Sequence, residues 1–310
     1  MRAFLLVNPR SGDGGSDALL EAAEARGVET RVLRRGDDAA ELARAADADA
    51  LAIAGGDGSL AAVADVAIAR GLPFLCVPFG TRNHFARDLG LDRDDPVAAL
   101  EALDDGVERL VDVGRVNDRL FLNNVSLGVY ATLVHRRERH RRRRDTLARL
   151  RALAAVARQP HGVGITLDGR RVRARVVLVS NNEYELNVLS IGERKRLDEG
   201  LLHVYAPAGL LRSGWEERAC DRLTIDTRAH RLRAAVDGEP QAIETPLAFR
   251  VEPKALRVLV PRSTIPHPDD SKEETMDNPG ATEEEQELAQ TERQDEEEDM
   301  RGTTDPEEQD

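Results

Sequence analysis

The stretch ALAIAGGDGSLAA, residues 50–62, decides how this chain is read. Leu51, Ala52, Ile53 and Ala54 form the short apolar run of a fully buried parallel strand, and from Ser59 onward the composition turns helical. Between them stand Gly55, Gly56, Asp57 and Gly58, and three glycines in these four positions let the backbone turn sharply and approach a ligand closely. A strand, a glycine turn and a helix N-terminus present backbone N–H groups and a positive dipole end, a setting that suits a phosphate. A carboxylate beside a phosphate repels it unless a cation or a ribose hydroxyl stands between them, so Asp57 points to Mg²⁺ or to a sugar. Taken alone, the same residues make a tight turn with an incidental aspartate; the flanking stretches tip the balance.

Toward the N-terminus, AFLLV at residues 3–7 predicts a strand, NPRSGDGG at 8–15 a second glycine-rich turn, and residues 16–26 a helix. This turn is neither GxGxxG nor GxxxxGK[ST], which excludes the Rossmann fingerprint and the Walker A loop. Residues 28–33 alternate as a strand and 38–46 read as a helix. Strands alternating with helices imply a parallel sheet with ligands at the carboxyl ends of its strands, where both glycine turns fall. Toward the C-terminus, a strand over 73–77 leads into PFGTRNHFAR, residues 78–87. There Thr81 offers a hydroxyl, and Asn83 or Thr81 caps a short helix ending near Leu89. His84 reads as a surface helix residue, and Arg87 equally as a salt-bridged surface group or a phosphate contact.

The order NPRSG, GGDGS, PFGTRNHFAR, each after a strand, closely resembles the catalytic domain of the diacylglycerol kinase and sphingosine kinase family of lipid kinases. The first two turns are shared with NAD kinases and phosphofructokinases, whereas PxGTxNxFA points to the lipid-kinase branch. The resemblance covers nearly all of residues 1–262. It implies a nucleotide domain and a sandwich domain with the active site in the cleft between them, ATP and Mg²⁺ as cofactors, and a diacylglycerol-like or other lipid as substrate. The family's nucleotide contacts fall on Asn8, Ser11, Gly12, Gly56, Asp57, Gly58, Ser59 and Thr81. Its general base falls on Glu239, and its magnesium and phosphate network on Asp57, Asp112 and Arg87. Its structural cation falls on Glu199 with backbone oxygens alongside, here that of Leu201. The chain departs from the pattern at Ser59 for the usual Thr, His84 for an acid, Asp13 for a Lys, and the longer Glu199. An NAD kinase, and a nucleotide-binding membrane-associated regulator with weak turnover, are the alternatives.

The rest of the chain sets limits on these readings. Its 310 residues, 41% of them hydrophobic, suffice for about two domains. The net charge of -13 belongs to the tail: residues 267–310 hold 19 acidic against 3 basic side chains, and the remainder has 41 basic and 38 acidic. With almost no aliphatic residues, this tail is expected to be disordered. Cys76 and Cys220 are too few for a disulfide framework, and no run is long enough to span a bilayer, so the expected setting is cytoplasmic. HRRERHRRRR at 135–144, followed by an amphipathic stretch over 146–156, reads as peripheral contact with an anionic membrane, ahead of a plain solvated helix. Nucleic acid is set aside because aromatic residues make up only 3% of the chain. A homodimer is left open. From residue 163 the pattern changes to period two, with turns at Asp168-Gly169 and Asp237-Gly238. The expected architecture is therefore α/β: a parallel-sheet nucleotide domain over 1–114, a mostly antiparallel β-sandwich over 115–262, and a tail over 263–310. A final strand over 256–260 returns to the first domain.

Overall fold

The computed structural model describes residues 1–11, 16–80, 83–128 and 163–264, apart from 175, 185, 188–189, 192–193 and 208–214. The basic stretch at 135–144 and the tail beyond 264 lie outside the described residues. The chain opens with β1 (Ala3–Val7), α1 (Ser16–Ala25), β2 (Glu29–Val32), α2 (Ala39–Ala45), β3 (Ala50–Gly55), α3 (Asp57–Arg70), β4 (Phe74–Pro78) and α4 (His84–Asp88). Helix α2 starts where the Asp38 carboxylate accepts from the Ala40 and Glu41 amides, and α3 stops at Gly71, whose φ of 64° a side chain resists. Strands β1, β3 and β4 are buried along their whole length, as continuous apolar runs in a helix-covered parallel sheet must be. They pair in the parallel order β2-β1-β3-β4.

The second half is built from strands. After α5 (Ala102–Asp105) come β5 (Gly106–Val116), β6 (Arg119–Phe121), β7 (Asn124–Gly128), β8 (Val163–Leu167), β9 (Arg170–Ala174) and β10 (Val176–Asn181). They are followed by β11 (Leu186–Asn187), β12 (Ser190–Ile191), β13 (Leu202–Pro207), β14 (Trp215–Cys220), β15 (Arg222–Thr227), β16 (Arg231–Val236), β17 (Glu239–Glu244) and β18 (Leu247–Pro261). An antiparallel sheet runs β14-β13-β10-β7-β16-β17, and the parallel sheet is extended beyond β4 as β18-β15-β8-β9. Val125, Val177, Val204 and Ala234 of the first meet Ile165, Leu223, Ile225 and Phe249 of the second in one apolar core. A separate core lies around β1, β3, β4 and α3.

Two strands join these cores. β5 gives Val111 and Val113 to the first core and Val116 to the second, while β18 gives Leu247 and Phe249 to the second and Leu256 and Val258 to the first. They pair antiparallel with a register shift between Glu252 and Leu256, and the far end of β18 lies parallel to β4. The strands expected over 247–251 and 256–260 are thus one strand with a bulge, which accommodates Pro253 where the ladder is interrupted. Conversely, the run over 121–124 is split: β6 ends at Phe121, β7 begins at Asn124, and the chain bends between them. No helix among the described residues is long and apolar enough to cross a membrane.

Candidate active site

Three loops converge at the carboxyl ends of β1, β3 and β4. Asn8 donates its amide to Ala54 O at 2.8 Å, and its own carbonyl accepts from Ser11 N at 3.1 Å, which folds the first turn against the second. A Cβ on Gly80 would stand 3.2 Å from Asn83 Oδ1 and 3.3 Å from both Gly56 Cα and Ser11 O, so the third loop packs tightly against the other two. Among the described residues, a Cβ on Gly56 would meet Ser11 at ordinary contact distance, with Oγ 3.8 Å away. Ser59 turns its hydroxyl back onto Gly56 O at 2.9 Å, and Gly56 caps α3 without a side-chain bond. Glycine turns gathered at a helix N-terminus present a polarity that suits a phosphate chain. Gly12 and Thr81 lie outside the described residues.

Asp57, at the start of α3, turns its carboxylate inward. It accepts from His84 N and Phe85 N, both at 3.3 Å, and so caps α4. Asn83, expected to cap that helix, instead donates to Gly80 O at 2.9 Å. Burial pushes the Asp57 carboxyl up, while the His84 charge and the two backbone donors pull it down. Asn123 faces it with an amide nitrogen that makes no short hydrogen bond of its own.

The second half contributes the hairpin between β16 and β17. Asp237 and Gly238 take φ of 47° and 80°, as the turn requires. Asp237 also has an inward role that turn chemistry does not reveal. Its carboxylate accepts from the amides of Leu122, Asn123 and Asn124 at 2.8, 2.8 and 3.0 Å, fixing the hairpin to the bend between β6 and β7. Burial lifts this carboxyl to about 7 despite those donors, and the neighbouring Asp57 charge adds to the rise. Two residues on, the exposed Glu239 lies directly against Gly58, where a Cβ would come within 2.4 Å of Glu239 Cγ and 2.9 Å of Oε1. A carboxylate from the sandwich is thereby placed at the first turn of α3, beside the second glycine turn.

Arg87 donates to Asp88 Oδ1 at 3.3 Å, and Arg194 donates to Asp88 Oδ2 at 2.6 Å. Arg194 was not among the residues expected here, because it sits in the charged run ERKR, which reads as surface. Asp112, expected in the magnesium and phosphate network, is held by backbone donors. Its two oxygens accept from Gly200 N at 2.6 Å and Lys254 N at 2.7 Å, so it ties β5 to the bulge of β18 and to the 198–201 turn. That turn is closed by protein partners. Glu199 Oε2 accepts from Glu183 N at 3.0 Å and lies 3.2 Å from His203 Nε2, and Leu201 O accepts from Asn182 N at 3.0 Å. Among the described residues no three His, Cys, Asp or Glu side chains converge as a metal group; at the expected structural cation site, Glu199 and the Leu201 carbonyl each accept from a backbone amide. A nucleotide-borne Mg²⁺ asks less of the protein, one or two carboxylates beside phosphates and waters; Asp57 is the carboxylate of the second glycine turn, with both oxygens accepting from α4 amides.

Residues 2–116 match the model of the diacylglycerol kinase catalytic domain. A diacylglycerol kinase of Mycobacterium tuberculosis is 36% identical over 122 residues, 36% of this chain and 40% of that relative, so the chain spans less than half of it. A probable YegS-like lipid kinase of Cronobacter sakazakii is 29% identical over 68% of this chain and 71% of its own length. Among solved structures, a putative diacylglycerol kinase from Bacillus anthracis superposes with a TM-score of 0.64 at 21% identity, covering 85% of this chain and 98% of the other. That likeness extends the shared fold across both cores.

Proposed function

We propose, from the premise that residues 2–116 belong to the diacylglycerol kinase catalytic-domain family, that this protein is an ATP-dependent lipid kinase acting on the hydroxyl of a diacylglycerol-like lipid. One observation carries the reading: Glu239, from the sandwich, lies against Gly58 at the start of α3, in the second glycine turn. Phosphoryl transfer asks mainly for positioning and charge neutralisation. The loops at Asn8, Ser11 and Gly56 would hold the phosphates, and Asp57 the Mg²⁺, which when bound offsets charge on the phosphate oxygens. Glu239 would accept the proton of the lipid hydroxyl as that oxygen attacks.

Incubation with radiolabelled ATP and a total lipid extract tests this, with NAD as a parallel acceptor. A labelled lipid is the expected product; labelled NADP alone would replace the reading with an NAD kinase. Glu239→Gln is expected to lower lipid phosphorylation by roughly two to four orders of magnitude with ATP affinity little changed. The enzyme would meet its substrate at an anionic membrane through the basic stretch at 135–144, each arginine contributing about 1 kcal/mol near such a surface. Vesicle binding is then expected to weaken with salt and to drop when Arg141, Arg142, Arg143 and Arg144 become Ala. Equal binding by parent and variant would remove this contact.

A further inference from the structure

The bend at 122–124 is where the chain passes from the first core to the second, and it is held from both sides. Its three amides go to the Asp237 carboxylate. Two of its acceptors go to Arg194, whose Nη1 donates to Leu122 O and Nη2 to Asn123 Oδ1, both at 2.7 Å, while Asn181 donates to Leu122 O and Asn123 O and the Asp237 amide to Asn124 O. The same guanidinium donates to Asn181 O at 3.0 Å and to Asp88 at 2.6 Å, and it lies 5.4 Å from the centre of the Tyr184 ring. Arg194 and Asp88 side chains are both 0% exposed. All three guanidinium nitrogens are therefore committed inside the protein, and none is offered to a phosphate or a headgroup. A fully desolvated arginine with this many directed bonds is costly unless its geometry is used.

We propose that Arg194 is a positioning residue for the transfer reaction: with Asp237 it clamps the 122–124 bend and thereby sets how Glu239 meets Gly58. The link is short. Asp237 begins the turn that presents Glu239, and the bend to which Asp237 is bonded is fixed in place by Arg194. Asp88, the partner of the same guanidinium, also accepts from Arg87. The reaction served rests on the lipid-kinase reading, whereas the clamp does not.

The test uses the full chain with Arg194→Met, which keeps the length and loses the directed bonds. Lipid phosphorylation is expected to show a kcat lower by about 10- to 100-fold with nucleotide affinity unchanged, the usual result of misplacing a group by about 1 Å. In a Glu239→Gln background the same substitution is expected to cost nothing further, because the positioned group is already gone; losses that multiply would overturn the proposal. Amide hydrogen exchange supplies a readout that needs no activity. The amides of Leu122, Asn123 and Asn124 are expected to exchange faster in Arg194→Met while those of β1 and β3 keep their protection, and unchanged protection at the bend would equally overturn it. Should Arg194→Met not fold, Arg194→Lys, which keeps the charge beside Asp88 but cannot span both acceptors of the bend, is measured in the same way. If the parent labels no lipid, the lipid-kinase reading falls and the exchange measurement still decides the clamp.

Discussion

A methyl group added to Gly58 would stand 2.4 Å from Glu239 Cγ, too close for any real Cβ, so Gly58→Ala must displace the glutamate or the helix turn. The expected outcome is loss of turnover with ATP binding kept. Gly56→Val is expected to do the reverse, removing ATP binding in a folded protein, since its branch would stand beside Ser11 in the turn proposed to hold the phosphates. Measuring both parameters for both variants separates the two glycines, and identical profiles would contradict the assigned roles. At this scale the sequence was only partly legible. Gly56 and Glu239 stand in turns that resemble a known pattern, whereas Arg194 carries no local signal: its partner Asp88 lies 106 residues away, and a charge within a charged run looks solvated. Asp237 was masked for another reason, because the hairpin already accounted for an aspartate there.

Among the elements, β1, β3 and β4 were readable because full burial leaves an uninterrupted apolar run. Helix α4 was readable and its cap was not, since the capping carboxylate comes from Asp57 in a distant loop. β18 was read as two strands because Pro253 cannot donate to a ladder, and the bulge that absorbs it is anchored from outside, by Asp112. Asp112→Asn would set an amide donor against the Lys254 or Gly200 amide in a buried site. The expected cost is about 1–3 kcal/mol of stability, the penalty for a buried polar group without a partner. Chemical denaturation measures it, and a variant as stable as the parent would show that the bulge does not depend on this carboxylate.

For the whole molecule, Asp237 ties stability to pH. Its carboxyl titrates at about 7 in the folded protein against 3.8 ordinarily, so the folded state holds a proton that the unfolded chain releases. Between about pH 4 and 7 this group therefore makes stability fall as pH rises, and above 7 the loss is complete. Thermal unfolding across pH 5 to 8 should show a shallower fall for Asp237→Asn than for the parent; parallel curves would mean that the group titrates normally. The change of periodicity at residue 163 announced a strand-rich second half, but the second core already takes in Val116, Val125 and Leu127, and the spine that joins the halves was not legible. β18 closes the first sheet beside β4 and contributes Leu256, Val258, Leu259 and Val260 to the first core. The first half is therefore unfinished for most of the time the chain is being made. While the ribosome works through the intervening residues, β4 has an open edge and the earliest core lacks a wall, which only the last strand to emerge can supply.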